Sequence, residues 1–204
     1  LNYLFIDSTY DLTIGLLSDD LKWLDLEHHA GLKASMVIQS RALELINKTH
    51  LKPQDLTGVI TVNGPGFYTG LRLAEGFSDV FHFFGVKQYS LYSYEIPYWC
   101  GFDKGVWFTK AYRGEYFLHK WTESKWSQCL INANQIKDHV GSEQFFVHSS
   151  VSLDTASQLL VENPIHSSDL LKKNPKKIFE KALVSHKREP FYFRPPEDEF
   201  KVNP

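Results

Sequence analysis

The chain has 204 residues, 43% hydrophobic and 23% charged, enough apolar material for one domain or two small lobes with a real core. A formal net charge of −2 excludes a uniformly basic nucleic-acid grip. The two cysteines, Cys100 and Cys129, stand far apart, which excludes a disulfide scaffold and a cysteine-rich zinc site. No apolar run is long enough to cross a membrane and no charged-then-apolar segment opens the sequence, so a reduced, cytoplasmic setting is expected. The sequence opens on Leu1 rather than Met, and one or two preceding residues are expected.

In chain order, Leu1–Ile6 reads as a strand buried on both faces, because Tyr3, Leu4, Phe5 and Ile6 are all apolar. The polar turn Asp7-Ser8-Thr9 separates it from a second strand, Leu12–Leu17, and Ser18-Asp19-Asp20 precedes a third, Leu21–Leu26. Short turns between the three predict an antiparallel meander. The period then changes. From Leu32 to Asn47 there is no Gly or Pro, and Ala34, Ile38, Ala42 and Leu45 recur on one helical face. Leu32, Met36, Leu43 and Ile46 form another apolar set. A helix lying on a sheet needs a single apolar stripe, so this girth predicts a second surface to cover: a partner, or the chain's own C-terminal half.

Thr57–Val62 predicts a fourth strand, which runs into Gly64-Pro65-Gly66-Phe67-Tyr68-Thr69-Gly70-Leu71-Arg72 and a second helix to about Phe84. Val86–Leu91 predicts a fifth strand. Strand, strand, strand, helix, strand, helix, strand is the order of a ribonuclease H-like half-domain. Further on, Val106–Thr109 and Glu115–Trp121 read as paired strands across Arg113-Gly114, with Gln128–Ile131 as a third. Asn132–Val140 and Asp154–Val161 read as helices, Gln144–His148 as a strand, and Pro175–Val184 as a lysine-rich helix with Ile178, Phe179 and Ala182 inward. Pro190–Arg194 reads as a closing strand, and Pro195-Pro196 as the end of regular structure. The expected organisation is two α/β lobes, residues 1–100 and 101–204.

A Gly-rich turn between a buried strand and a helix lets the backbone approach another group closely, and the helix N-terminus there suits an anion. On that reading Asp7, Gly64, Gly66, Thr69, Gly70 and Arg72 are candidate anion or nucleotide contacts, with Thr69 also as a helix cap. The competing reading is a tight turn with no ligand, and Asp7 as the cap of its own hairpin. Lys172, Lys173, Lys176, Lys177, Lys181, Lys187 and Arg188 crowd the last part of the chain, as a solvated helix face or as a contact for RNA or an acidic partner.

Residues 64–72 resemble the Gly-Pro-Gly-Ser-Phe-Thr-Gly-Leu-Arg signature of the TsaB/YeaZ family, departing from it at Phe67 and Tyr68. Four further blocks are similar to that family in the same order: Leu4–Thr9, Asp55–Val62, Arg113–Phe117 and Glu189–Arg194. The resemblance implies an actin-like ATPase fold with a degenerate C-terminal lobe. It implies a non-catalytic role: a scaffold for TsaD, the paralogue that transfers threonylcarbamoyl to adenosine 37 of tRNA, with the ATPase TsaE joining them. ATP and a metal are then expected only through TsaD and TsaE, with no cofactor on this chain alone, and tRNA is met indirectly or weakly. The family's helical contact surface, which also serves self-association, would fall here on Leu32, Met36, Gln39, Leu43 and Ile46 of the first helix and Leu71 and Glu75 of the second.

The catalytic paralogue carries a His-x-x-x-His pair after its fifth strand, a spacing that puts two imidazoles on one helix face to hold a metal. Ser93 and Pro97 stand at those positions here, so no catalytic residue and no metal ligand is assigned. Lys33 and Ala34 replace an acidic residue and a His that the family often carries. His28 and His29 are expected in the turn before the first helix, and the other histidines are scattered. The alternative activity is that of a nucleotide-dependent phosphotransferase or a metal-dependent peptidase of the same fold.

Overall fold

The structure is a computed structural model and describes residues 2–139, 143–152, 155–156 and 163–194. Contacts divide the chain into two compact units, Leu1–Tyr92 with Ala182–Pro204, and Ser93–Lys181. The lobes anticipated from sequence, 1–100 and 101–204, differ from this grouping chiefly in the last segment, which belongs by contact with the first unit.

The first unit is built on strands β1 (Tyr3–Asp7), β2 (Leu12–Leu17), β3 (Trp23–His29), β4 (Gly58–Val62) and β5 (Lys87–Leu91), with helices α1 (Ala34–Lys48) and α2 (Tyr68–Phe83). Its sheet order is β3-β2-β1-β4-β5. The first three strands pair antiparallel, and β4 and β5 add in parallel. Central β1 has no polar alternation because both its faces are covered. Leu4 and Ile6 join the cluster beneath the helices, with Ile14, Ile38, Ala42, Leu45 and Val59. Phe5 points the other way, its ring 5.6 Å from that of Trp23. Burial of each such side chain contributes about 1.5–3 kcal/mol.

β3 runs beyond the predicted Leu26 to His29, so His28 and His29 end a strand rather than sit in a turn. Pairing with β2 explains the extension: His28 stands opposite Thr13, and the two side chains are 2.9 Å apart. His29 lies 3.0 Å from Glu27.

The second unit repeats the plan. Helix α3 (Glu95–Trp99) is followed by β6 (Gly105–Lys110), β7 (Glu115–Trp121), β8 (Trp126–Asn132), α4 (Ile136–His139), β9 (Phe145–Val147), β10 (Ile165–His166) and α5 (Ser167–Lys173). Helix α6 (Pro175–Val184) then runs from the second unit into the first in sequence. The second sheet is ordered β10-β9-β6-β7-β8. Its first three strands pair antiparallel, and β9 and β10 add in parallel. Numbered within each unit, both sheets therefore read 3-2-1-4-5. This is the ribonuclease H-like arrangement in duplicate, an α/β fold of the actin-like ATPase type. Its second copy has short parallel strands and a single helical turn at α4.

Val106, Phe108, Leu118, Phe145 and Val147 form the core on one face of the second sheet. Trp107 faces the other way, fully buried, and its indole nitrogen donates to the Ser167 hydroxyl at 2.8 Å. His119 lies on that side too, stacked 4.3 Å from Tyr94 and accompanied by Trp121. Burial pushes its imidazole down to about 4. The Cys100 thiol is pushed up to about 11, also by burial, and Cys129 is raised for the same reason, so neither favours a thiolate.

Four further elements differ from the sequence reading. The helix predicted over Asn132–Val140 begins as a 3-10 turn, Ala133–Gln135, before α4. The predicted closing strand Pro190–Arg194 is reduced to one parallel bridge, Gly66 to Tyr192. Helices α3 and α5 were not anticipated. The helix predicted over Asp154–Val161 falls largely outside the described residues, as does Pro195-Pro196.

Candidate functional site

Two regions of the first unit hold the residues singled out by sequence. The turn from β4 to α2 lies against the turn from β1 to β2. Asp7 organises the latter: its carboxylate accepts from the Thr9 backbone at 2.9 Å and from the Thr9 hydroxyl at 2.6 Å. The two turns then bond to each other. Ser8 donates from its hydroxyl to the Gly70 carbonyl at 2.8 Å, and the Phe67 N–H donates to the Thr9 carbonyl at 3.2 Å. A side chain at Gly70 would overlap the Ser8 carbonyl, and one at Gly66 would come 2.8 Å from the Thr9 Cβ. The glycines thus permit a close approach, and the group approached is the neighbouring turn of the same unit.

The other flank of the Gly-rich turn is covered by residues 186–193. Asn63, itself buried, donates from its side-chain amide to the Arg188 carbonyl at 2.5 Å, while its own backbone carbonyl accepts from Phe191 N–H at 2.8 Å. Gly64, at φ +115°, takes the Phe191 carbonyl against its Cα. Phe67 packs on Tyr10 and Phe193, and Tyr68 on Tyr192. The Arg72 guanidinium lies 5.6 Å from the Tyr68 ring centre and 5.5 Å from that of Tyr192, and it pairs with Glu75 at 2.6 Å. Its charge is therefore met inside the unit.

The six anion candidates thus come together; Asp7, Gly64, Gly66, Gly70 and Arg72 are engaged with protein groups, and Thr69 is exposed. Thr69 does not cap α2. The helix begins at Tyr68, its N-cap is Phe67 without a side-chain cap, and Thr69 falls inside the first turn. The large side chains at 67 and 68, where the sequence departs from the family signature, are the ones that pack against the C-terminal segment.

The second region is the outer face of α1. Met36, Gln39 and Leu43 are exposed at i, i+3 and i+7 and line one stripe of the helix, while Leu32, also exposed, lies in the bend before the Lys33 N-cap; Met36 is 77% accessible. Ile46 does not belong to it. Three residues beyond Leu43 the helix has turned back to the sheet, and Ile46 is fully buried beside Ala42 and Leu45. Leu71 is likewise buried, at 2%, and Glu75 is half-buried at its ion pair. These three were assigned to the outer surface from sequence, and the structure places Ile46 and Leu71 in the core. In the other direction, α2 ends in an apolar group that sequence reasoning missed: Val80, Phe83 and Phe84 are exposed, Phe83 at 86%. The run Phe81-His82-Phe83-Phe84 held the signal, since a helix on a sheet can bury only one of three such rings, and here it is Phe81.

Ser93 lies just before α3 and Pro97 within it, both buried. Among the described residues, no group of three or more His, Cys, Asp or Glu side chains is disposed to hold a metal ion. Among them also, no helix is long and apolar enough to cross a membrane.

No sequence-family profile matches the chain, and no curated protein matches it in sequence. Solved structures do match in fold. A crystal structure described as an uncharacterized protein with similarity to peptidase YEAZ from Pseudomonas aeruginosa superposes with a TM-score of 0.63 at 15% identity. It covers 95% of this chain and 99% of that one. YeaZ from Pseudomonas aeruginosa gives 0.60 at 14% identity, over 90% and 93% of the two chains. The chain has the fold of YeaZ. The ethanolamine utilization protein EutJ from Carboxydothermus hydrogenoformans, with a TM-score of 0.53 at 13% identity over 87% of this chain and 89% of that one, shares the fold as well.

Proposed function

We propose that this chain is a non-catalytic subunit of the YeaZ (TsaB) type, which holds the threonylcarbamoyl transferase TsaD in its competent form for modification of adenosine 37 in tRNA. The observation that carries the reading is the exposed apolar pair Met36 and Leu43 on α1, with exposed Leu32 just before the helix, in a chain with the YeaZ fold. Large apolar side chains aligned on one exposed helix face are the usual mark of a surface that another chain covers. The Gly-rich turn supports a role without turnover, because its close contacts are with Ser8, Thr9 and Phe191. Ser93 and Pro97, at the positions of the paralogue's histidines, support it from the sequence. In this role ATP and a metal enter through TsaD and TsaE, and a second copy of the chain competes for the same stripe.

Size-exclusion chromatography of the chain with TsaD from the same cell tests the reading. A one-to-one complex is expected, and Met36→Asp should weaken it at least a hundredfold by burying a charge in an apolar contact. A chain that ignores TsaD, or a Met36→Asp, Leu43→Asp double variant that binds it normally, overturns the assignment.

A further inference from the structure

The junction of α5 and α6 gathers positive charge on an exposed surface. Residues 163–188 hold seven Lys and Arg against two acids, although the chain as a whole is net negative. Lys172 and Lys173 end α5, and Lys176 and Lys177 begin α6, so four lysines fall within six residues around Asn174. Each helix has one buried face, Ser167, Leu170 and Leu171 on α5 and Ile178, Phe179 and Ala182 on α6, and all four lysines are exposed. Lys181 continues the exposed row one turn beyond Lys177.

The placement is costly in two respects. Lysines in the last turn of α5 complement its helix dipole, but Lys176 and Lys177 sit in the first turn of α6, where the dipole repels them. The four charges also repel one another, and among the described residues the ion pair of Lys176, with Glu180, is a long 3.9 Å. A positive cluster held against its own helix is suited to an external polyanion. Lysine is depleted in protein–protein contacts, whose centres are built on apolar and aromatic anchors, and no large apolar side chain is exposed among these four. Point-like ammonium groups on a polar surface fit instead the phosphates of a nucleic-acid backbone.

We propose that the α5–α6 junction is a binding site for the phosphate backbone of RNA, formed by Lys172, Lys173, Lys176 and Lys177. The site is sequence-independent and weak by itself. It uses none of the α1 residues and does not depend on the partner reading above.

The test is fluorescence anisotropy of the full chain with a labelled 20-nucleotide single-stranded RNA, from low to moderate potassium chloride. Four phosphate contacts predict a log–log salt slope of about −3, from roughly −0.7 per contact on a single strand. The quadruple variant Lys172→Gln, Lys173→Gln, Lys176→Gln, Lys177→Gln should lose at least tenfold in affinity and most of that slope. A control quadruple of exposed lysines elsewhere, Lys33→Gln, Lys52→Gln, Lys87→Gln and Lys125→Gln, should bind as the parent does. Equal loss in the control reduces the effect to net charge and overturns the site. So does undiminished binding by the junction variant, absence of salt-dependent binding in the parent, or poly-glutamate competing as well as unlabelled RNA. Matching melting temperatures of both variants and the parent exclude unfolding as the cause.

Discussion

The carbonyl oxygen of Phe191 occupies the position that a side chain on Gly64 would take. Two residues far apart in sequence thereby fix one turn: the glycine leaves the space, and the C-terminal segment fills it. Gly64→Ala is therefore expected to destabilise the protein by about 2 kcal/mol or more, from strain at φ +115° joined to a backbone overlap. Urea denaturation would show it as a lower midpoint. An unchanged midpoint would mean that the segment detaches without consequence.

Asn63 is the second anchor of that segment. Asn63→Ala removes the donor to the Arg188 carbonyl and the acceptor used by the Thr61 hydroxyl. A cost of about 1–3 kcal/mol is expected, because buried polar groups lose their partners. Limited trypsin digestion should cut the variant faster after Lys187 or Arg188, and equal rates would refute the anchoring role.

The two faces of α1 should respond differently to truncation. Ile46→Ala, in the core, is expected to cost about 2–5 kcal/mol. Met36→Ala, on the exposed stripe, should stay within about 0.5 kcal/mol of the parent. Thermal melts of the isolated chain decide this, and a large loss at Met36 would show that the stripe is covered within the molecule.

His119 gives the fold a pH dependence. Burial lowers its folded pKa to about 4, against an ordinary value near 6.5. Between those values the unfolded chain binds the proton and the folded chain does not, so stability present above pH 6.5 is lost as pH falls toward 4. The loss from this group is on the order of 3 kcal/mol. His119→Phe keeps a ring beside Tyr94 and should flatten stability over that window, measured by denaturation at several pH values. A slope equal to the parent's would assign it to other groups.

Much of the first unit was legible because its signals are local. Continuous apolar runs marked β1 and β4, and helical spacing between turn residues marked α1 and α2. Three-dimensional packing decided the rest. Ile46 and Met36 look alike in sequence, and only their angles about α1, set by where the sheet lies, separate core from surface. Gly66 and Gly70 announce a close approach without naming the neighbour, which proved to be Ser8 and Thr9. Helix α3 was hidden by Pro97 in a five-residue stretch, and α5 by its brevity, since neither offers two turns of periodicity. The closing strand failed for a different reason. Phe191, Tyr192 and Phe193 have strand-like residues, but they bond to a turn and offer a single bridge.

The bond from Asn63 to Arg188 spans 125 residues of chain. During synthesis at about 5–20 residues per second, the first sheet would wait roughly 6–25 s for the segment that completes it. Throughout that interval the Gly-rich turn and the edge of β5 are uncovered, while the second unit emerges and folds. A segment made late thus closes a turn made early, so chains truncated or stalled before Arg188 would carry an open seam.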